Sequence, residues 1–535
     1  MKEIGQSASF KNFSERNRIY VDKTEQIYSL LKFDRVFFSR PRRFGKSLVL
    51  DTIASLFEEG VEPYFKDTWI YDKWTEEKYP VLRLNFLGFS INNIEEFHKG
   101  FCRKIEQFVK RNNIDYEKAD NVVFALDNLF ESLSIAQKKI VILIDEYDCQ
   151  MTANINNPDL YQSFFECIRS IYAILKGKEE IRFLAVTGVT RLKYTAIFSV
   201  GSDIVDMSNA HSIATLVGFT RDEIRKFYDE YLVVTASYAN NCKVEDVSDE
   251  QKEEVLNKLA EEYDGYCFDE YYKHKVFSTW SVNNFFSSLV SKQFLEYGDY
   301  WYDNGGVSSI LENYLESHNV DLKVLLDGEI AVDTHDFKNP TSLLSIDRNV
   351  LMYQTGYLTL CSKFDVYSIQ LGIPNKEVKR ALTTLMSRKI FGRNIVRKID
   401  NVNFFKTSTA DKIIENLEIL FKSVSYENYP ICNEASLRLP LQTFFTAFAD
   451  RVYVEQQNCL GRADLVVEIQ NRRIVFELKY VTSEKDAQIK LQEAVNQIQE
   501  RDYGNTYPNM DLLRIALVFN GDSKVRAFTH YQEVL

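Results

Sequence analysis

Glycine, proline, paired cysteines and long apolar runs are all scarce in this sequence, and each scarcity excludes something. Glycine (20) and proline (9) together make 29 of 535 residues, about 5% against a usual ~12%. That excludes collagen-like chains, Pro-rich linkers and Gly/Ser tethers, and leaves helix-rich domains on short connections. The eight cysteines (102, 149, 167, 242, 267, 361, 432, 459) contain no CxxC pair, which argues against a zinc ribbon or a disulfide framework. Buried, reduced thiols are expected instead. The six histidines (98, 211, 274, 318, 335, 530) show no metal-ligand spacing and read as surface or hydrogen-bonded residues. No run approaches the ~18 apolar residues of a membrane span, and MKEIGQSASFKNFSERN has no apolar signal core, so a cytoplasmic location without a membrane partner is expected. Basic charge is not in excess either: Lys+Arg 65 against Asp+Glu 77 gives −12. Such a chain repels nucleic acid on average, so any nucleic-acid function must use a local basic groove or a bound metal.

What is present is ample apolar bulk, 45% hydrophobic and 14% aromatic, enough for several cores in a chain whose length suggests two to four domains. The first part alternates strand and helix signals. RVFFSR (35–40), PVLRLNF (80–86), KIVILI (139–144) and IRFLAV (181–186) read as strands, with helical spacing over 48–60, 92–136 and 159–176. That order predicts a parallel sheet covered by helices. Residues 221–430 read as a mostly helical middle region, with EDVSDEQKEE (245–254) as a helix start with a solvated face. From 431 a helix restarted or kinked at Pro440, then VYVEQ, ADLVVEI, RIVFELKY, a helix and LLRIALVFN, predict an α/β domain of 431–535.

Two constellations carry chemistry. The first is R-P-R-R-F-G-K-S, a phosphate-binding loop of the G-x-x-x-x-G-K-[ST] type in which Arg40 replaces the first glycine. Gly45 would allow close backbone approach, Lys46 would meet the β/γ-phosphates and Ser47 a Mg²⁺. About 100 residues on, KIVILI ends in Asp145-Glu146, where Asp145 could hold that Mg²⁺ and Glu146 polarise an attacking water. Thr187 or Thr190 could sense a γ-phosphate and Arg191 could contact it. Arg40, Arg42 and Arg43 either grip phosphate or form a charge-paired turn.

The second lies in the C-terminal hairpin. With a two-residue turn at Gln470-Asn471, paired residue numbers sum to 941, so Leu465 faces Phe476 and Val467 faces Ile474. The same register sets Asp464 opposite Glu477, with Lys479 one pleat away on the same face. Two hard-oxygen ligands suit Mg²⁺ or Mn²⁺, and a lysine beside them can orient water or offset charge. Glu434 could add a ligand, and Gln497 and Tyr503 could position substrate. A solvated salt bridge is the plain alternative for Glu477-x-Lys479.

With YVDKT (20–24), RPRRFGKSL (40–48), LIDEYD (143–148), YDGYCF (263–268), YQTGYLTL (353–360), IPNKEV (373–378) and the GRADLVVE…FELK block (461–479), the chain resembles bacterial fusions of an AAA-ATPase-like P-loop domain with a C-terminal PD-(D/E)XK nuclease domain. In that family the loop tends to carry arginine where the first glycine would stand. The resemblance implies a multidomain α/β protein: an N-terminal ASCE-type P-loop NTPase with a parallel sheet (1–220), a helical middle region (221–430) and a restriction-endonuclease-like α/β domain (431–535). Carried across by position, Lys46, Ser47, Asp145 and Glu146 serve a nucleotide, and Glu434, Asp464, Glu477 and Lys479 serve the nuclease site, with Arg43 and Gly45 in the phosphate loop. The motif's proline is replaced by Ala463. ATP with Mg²⁺ or Mn²⁺ as cofactors, nucleic acid (DNA rather than RNA) as partner, self-association and nucleotide-gated cleavage are the expectations. The competing readings are a nucleotide-dependent scaffold with an idle hairpin site and an ATPase motor that remodels nucleoprotein. Asp264-Gly265-Tyr266 and Thr355-Gly356-Tyr357 read most plainly as turn glycines beside packed tyrosines.

Overall fold

The four apolar runs of the first part do form strands. In the computed structural model, which describes residues 1–192, 203–301, 329–363, 367–391, 399–426, 429–458, 460–504 and 510–535, the chain divides into two units. One comprises Met1–Asp321 and Glu329–Val378, the other Leu322–Gly328 and Lys379–Leu535. His318 and Cys459 lie outside the described residues. Of the other cysteines, Cys102, Cys149 and Cys267 are buried, Cys167, Cys242 and Cys361 are half-buried, and Cys432, just ahead of a helix, is exposed, so burial holds for only some of the thiols.

In the first unit, β1 (Arg35–Ser39), β2 (Val81–Asn85), β3 (Ile140–Asp145), β4 (Ile181–Gly188) and β5 (Val205–Asp206) make a parallel sheet in the order β2-β3-β4-β1-β5. All six residues of β3 are buried, which is why its run shows no alternation. Helices α1 (Lys46–Glu59), α2 (Ile94–Arg111), α3 (Val122–Ile135) and α4 (Pro158–Leu175) connect and cover the strands. The Asn93 side chain caps α2 by accepting from the N–H groups of Glu95 and Glu96, and those acids lead the helix as Lys110 and Arg111 end it, matching the helix dipole. β4 stands between the strand ahead of the phosphate loop and the strand ending in Asp145-Glu146. That insertion is the ASCE arrangement.

The following part is rich in helices: α5 (Arg221–Phe227), α6 (Asp229–Asn240), α7 (Asp249–Tyr263), α8 (Thr279–Lys292) and α9 (Arg348–Gln354). A capping box of Ser248 and Gln251 starts α7, inside the acidic run. Two small antiparallel sheets occur here that the pattern does not signal. One pairs β6 (Tyr266–Cys267) with β7 (Lys275–Val276); the other has the order β8-β10-β9, from β8 (Glu329–Asp333), β9 (Thr359–Lys363) and β10 (Ser368–Gly372). Two to five residues are too few for a period to stand out. Helix α10 (Lys376–Phe391) contains the division between the units in its first turn.

In the second unit, α11 (Ile399–Thr407), α12 (Ala410–Phe421) and α13 (Glu434–Thr446) precede a five-stranded sheet. α13 is assigned as one helix through Pro440. The sheet order is β11 (Arg451–Gln457), β12 (Arg462–Ile469), β13 (Arg472–Val481), β14 (Asp511–Asn520), β15 (Ala527–Glu533), antiparallel except for the parallel β13–β14 pair. Helix α14 (Glu484–Glu500) makes that crossover. Its Ala487, Leu491, Ala494, Val495 and Ile498 pack with Val466, Val475, Ala516 and Val518 of the sheet. No helix among the described residues is long and apolar enough to cross a membrane.

Candidate active sites

The phosphate loop leaves the end of β1 and enters α1 at Lys46. Gly45 has φ +100°, left-handed backbone that a side chain disfavours; a Cβ there would meet nothing within 4 Å, so the backbone angle and not space requires glycine. The buried Lys46 Nζ donates to the carbonyls of Arg40 (3.1 Å) and Pro41 (3.2 Å) and lies 3.4 Å from Glu146 Oε1. Glu146 reaches it from a left-handed turn, φ 52°. Ser47 Oγ donates to Asp145 Oδ2 at 2.6 Å.

The other oxygen of Asp145, Oδ1, is buried without a hydrogen-bond partner. Burial raises the Asp145 pKa, against the hydrogen bond from Ser47. A hydroxyl beside an orphaned carboxylate oxygen is a hard-oxygen donor set, and it fits a divalent cation. A cavity of about 550 Å³ opens alongside, lined by Arg43, Lys46, Ser47 and Glu146 and also by the apolar Ile19, Val21 and Phe219. A lining that combines charged and apolar groups suits a nucleotide.

The three candidates at and beyond the end of β4 separate. Thr187 Oγ1 is buried without a partner at the end of β4. The N–H and Oγ1 of Thr190 both donate to Asp148 Oδ2, each at 2.6 Å, and the Val189 N–H donates to Oδ1 at 3.3 Å. Arg191 is ion-paired to Asp206 at 2.5 Å and donates to Asn209. Thr190 and Arg191 therefore hold structure. Asp148 was not singled out from the sequence, although its place three residues after Asp145 in LIDEYD was visible; it ties the end of β3 to the segment after β4.

The arginines separate too. Arg40 is 1% exposed and donates to carbonyls outside the loop's phosphate side, Ser208 O at 2.5 Å and Ile213 O at 3.2 Å. It grips protein, which corrects the phosphate reading for this residue. Arg42 is half-buried. Arg43 is exposed at φ 71°, with its guanidinium over the Trp280 ring at 4.2 Å.

In the second unit the hairpin register is as the apolar pattern requires. Ile469 pairs Arg472, Val467 pairs Ile474 and Leu465 pairs Phe476. The ladder stops one step short of Asp464 and Glu477, because the Asp464 carboxylate takes the N–H of Leu478 at 2.8 Å. Glu477 continues instead in register with Ala516 of β14. Lys479 Nζ donates to Glu477 Oε1 at 3.0 Å, both side chains being buried, and Glu477 Oε2 is buried without a partner.

Burial first, then the charge of Asp464, pushes Glu477 up to about 7, with Lys479 opposing. Burial likewise raises Asp464, against the Leu478 N–H, Lys479 and Arg438. Burial lowers Lys479, but Glu477 outweighs it and leaves the ammonium raised. Two carboxylates held together with an orphaned oxygen fit a divalent metal. Glu434 is exposed at the start of α13; its charge acts on all three groups, yet its oxygens do not gather with those of Asp464 and Glu477 within 4.8 Å.

Arg438, one turn after Glu434, stands 4.0 Å from Asp464 Oδ1 and was missed from the sequence; the i,i+4 spacing was its signal. Gln497 is half-buried, with Oε1 lacking a partner. Tyr503 lies in the core and its hydroxyl accepts from Arg501 at 2.9 Å, which corrects its placement as a substrate-facing residue.

Among the described residues, His211, Asp269 and His274 also come within 4.8 Å of one another. The buried Asp269 carboxylate already accepts from His211 Nδ1 and from the N–H groups of Tyr271, Lys273 and His274, so its oxygens close a loop.

Residues 4–198 match the family model described as "Predicted AAA-ATPase", and residues 439–529 match that of the PD-(D/E)XK nuclease superfamily. An "Uncharacterized protein in vnfD 5'region" of Azotobacter chroococcum mcd 1 is 24% identical over 501 residues, 91% of this chain and 90% of that protein.

Proposed function

We propose that the chain is an ATP-binding and ATP-hydrolysing protein whose C-terminal domain is a metal-dependent nuclease acting on DNA, with cleavage gated by nucleotide. The observation that carries the reading is the group of half-buried Asp464 with buried Glu477 and Lys479 at the end of the β12–β13 ladder, inside the segment that matches a nuclease superfamily. A bound Mg²⁺ or Mn²⁺ would supply a polarised phosphoryl oxygen and an acidified water. The chain's own groups would do the rest: Asp464 and Glu477 would hold the cation, and Lys479, which favours the ionised form of Glu477 against burial and the charge of Asp464, would face charge that develops on phosphate.

At the loop, Gly45, Lys46 and the α1 N-terminus would take the phosphates, with Arg43 at the rim. Ser47 and Asp145 would hold a second Mg²⁺, Glu146 would polarise water and Thr187 would face the γ-phosphate. Functional boundaries near 220 and 430 and a cytoplasmic setting go with this reading.

A scaffold with an idle hairpin site is the second reading, favoured by the net charge of −12. Single- and double-stranded DNA and RNA incubated with Mg²⁺ or Mn²⁺, with and without ATP, beside Asp464→Ala, separate the two. Cleavage by wild type alone supports the nuclease; ATP binding with no cleavage under any condition supports the scaffold. Gating is refuted if Lys46→Ala cuts as wild type does with and without ATP.

A further inference from the structure

Five consecutive residues of the phosphate loop are each held by residues far downstream of it. Arg40 stands where the loop pattern has its first glycine; its guanidinium, besides its bonds to the Ser208 and Ile213 carbonyls, lies over the ring of Phe268 at 4.5 Å. Pro41 meets Gly356, where a Cβ would stand 2.8 Å from Pro41 Cβ and where φ is +90°, so only glycine lets the loop come this close. The Arg42 carbonyl accepts from Trp301 Nε1 at 3.4 Å, and the Arg43 carbonyl from Thr279 Oγ1 at 2.9 Å. Phe44 is buried, with Tyr266 and Phe268 meeting its ring edge-to-face at 4.7 and 5.5 Å.

Three of these partners come from the two segments read from the sequence as turn glycines beside packed tyrosines. Tyr266 and Phe268 belong to YDGYCF, and Gly356 to YQTGYLTL. Tyr357, next to Gly356, packs edge-on against Trp301 at 5.2 Å, and Asp269 fixes the loop that follows Phe268. The physical need is plain. A glycine at the first position lets a phosphate loop curl freely, whereas arginine restricts the backbone and brings a charge that must be compensated once buried. Three backbone carbonyls, counting that of Ser39 at 2.8 Å, and one aromatic face compensate it here.

We propose that YDGYCF and the Gly356 turn form a clamp that sets the phosphate loop in its nucleotide-binding curvature, with Arg40 as the positioning residue through which they act. The clamp lies wholly outside residues 4–198, so the segment that matches the ATPase model carries only part of its loop support, such as the bond from the Arg40 N–H to the Gly188 carbonyl. The proposal rests on the loop's being a nucleotide site, and it makes a counterintuitive statement: restoring the consensus glycine at position 40 weakens binding.

The test is titration of the full-length protein with a fluorescent ATP analogue in Mg²⁺, with thermal melting in the absence of nucleotide as the folding control. Wild type should bind and Lys46→Ala should not; if wild type fails, the nucleotide reading itself falls. With that established, Arg40→Gly and Phe268→Leu are expected to bind about tenfold or more weakly, the scale of losing hydrogen bonds from a charged group in the first and a buried cation–π contact in the second. Phe268→Tyr, which keeps the ring face, should stay within about twofold of wild type. The clamp is overturned if Arg40→Gly binds as tightly as wild type, or if Phe268→Tyr is as weak as Phe268→Leu. It is overturned equally if Arg40→Gly and Phe268→Leu are both unfolded without nucleotide, for then these contacts are core packing and nothing more.

Discussion

Ser47 Oγ and Asp145 Oδ2 are 2.6 Å apart, although 98 positions separate them in the chain. The contact exists because β1 and β3 both run parallel to β4, which lies between them, so the loop and the end of β3 leave the same end of the sheet. Ser47→Ala removes the hydroxyl and leaves the rest of the loop. Nucleotide binding in EDTA should change little, while the added affinity that Mg²⁺ gives should fall by about tenfold or more. Parallel titrations with Mg²⁺ and with EDTA check it, and an equal Mg²⁺ increment in both proteins would contradict the assignment.

Glu477 gives a pH signature. Its folded pKa, about 7, lies above the ~4.3 of an unfolded glutamate, so the folded state keeps a proton that the unfolded chain releases. The stability this contributes is fully present below about pH 4.3 and is lost as pH rises through about 7. Metal-free protein should lose on the order of 1–3 kcal/mol from this group over that window, and Glu477→Gln should lose less. Mg²⁺ competes with the same proton, so it should raise the melting temperature more at pH 8 than at pH 6. Melting curves of both proteins that run parallel from pH 5 to pH 8 would refute this.

Lys479 is the only cation with a hydrogen bond to Glu477 among the described residues. Lys479→Ala leaves two carboxylates close together without that partner, which raises Glu477 further and weakens metal binding. Cleavage at pH 7.5 should fall by about 10²-fold or more, with part of the loss recovered at higher pH. A variant that cuts within about twofold of wild type would remove Lys479 from the site.

Asp148 is a stability determinant. Asp148→Ala strands the N–H and hydroxyl of Thr190 in a buried place, which should destabilise the first unit by about 2–4 kcal/mol. Asp148→Asn should cost less, since the amide oxygen still accepts. Thermal melting reads both; an unchanged melting temperature for the alanine variant would show that water replaces the carboxylate.

Much of both sites was legible because it depends on local rules. The strand VILI ending in Asp145-Glu146, the Gly45-Lys46-Ser47 turn into a helix and the Leu465–Phe476 register follow from burial of apolar runs, from backbone angles and from the period of a strand. What was not legible depended on partners distant in sequence. Thr187 and Thr190 read alike until Asp148 takes one of them. Tyr503 reads as a candidate until the α14 packing buries it.

The sequence by itself determined most of the longer strands and helices and the residues able to do chemistry, since these follow from side-chain character at short spacing. Only the tertiary structure decided which groups remain available. It turned Arg40 into the protein and onto Phe268, left Asp145 Oδ1 and Glu477 Oε2 without partners, and drew Asp464 out of its ladder onto the Leu478 N–H. The physical reason is packing between segments that the linear sequence keeps far apart: it fixes which neighbour satisfies a buried polar group and which buried oxygens are left without one.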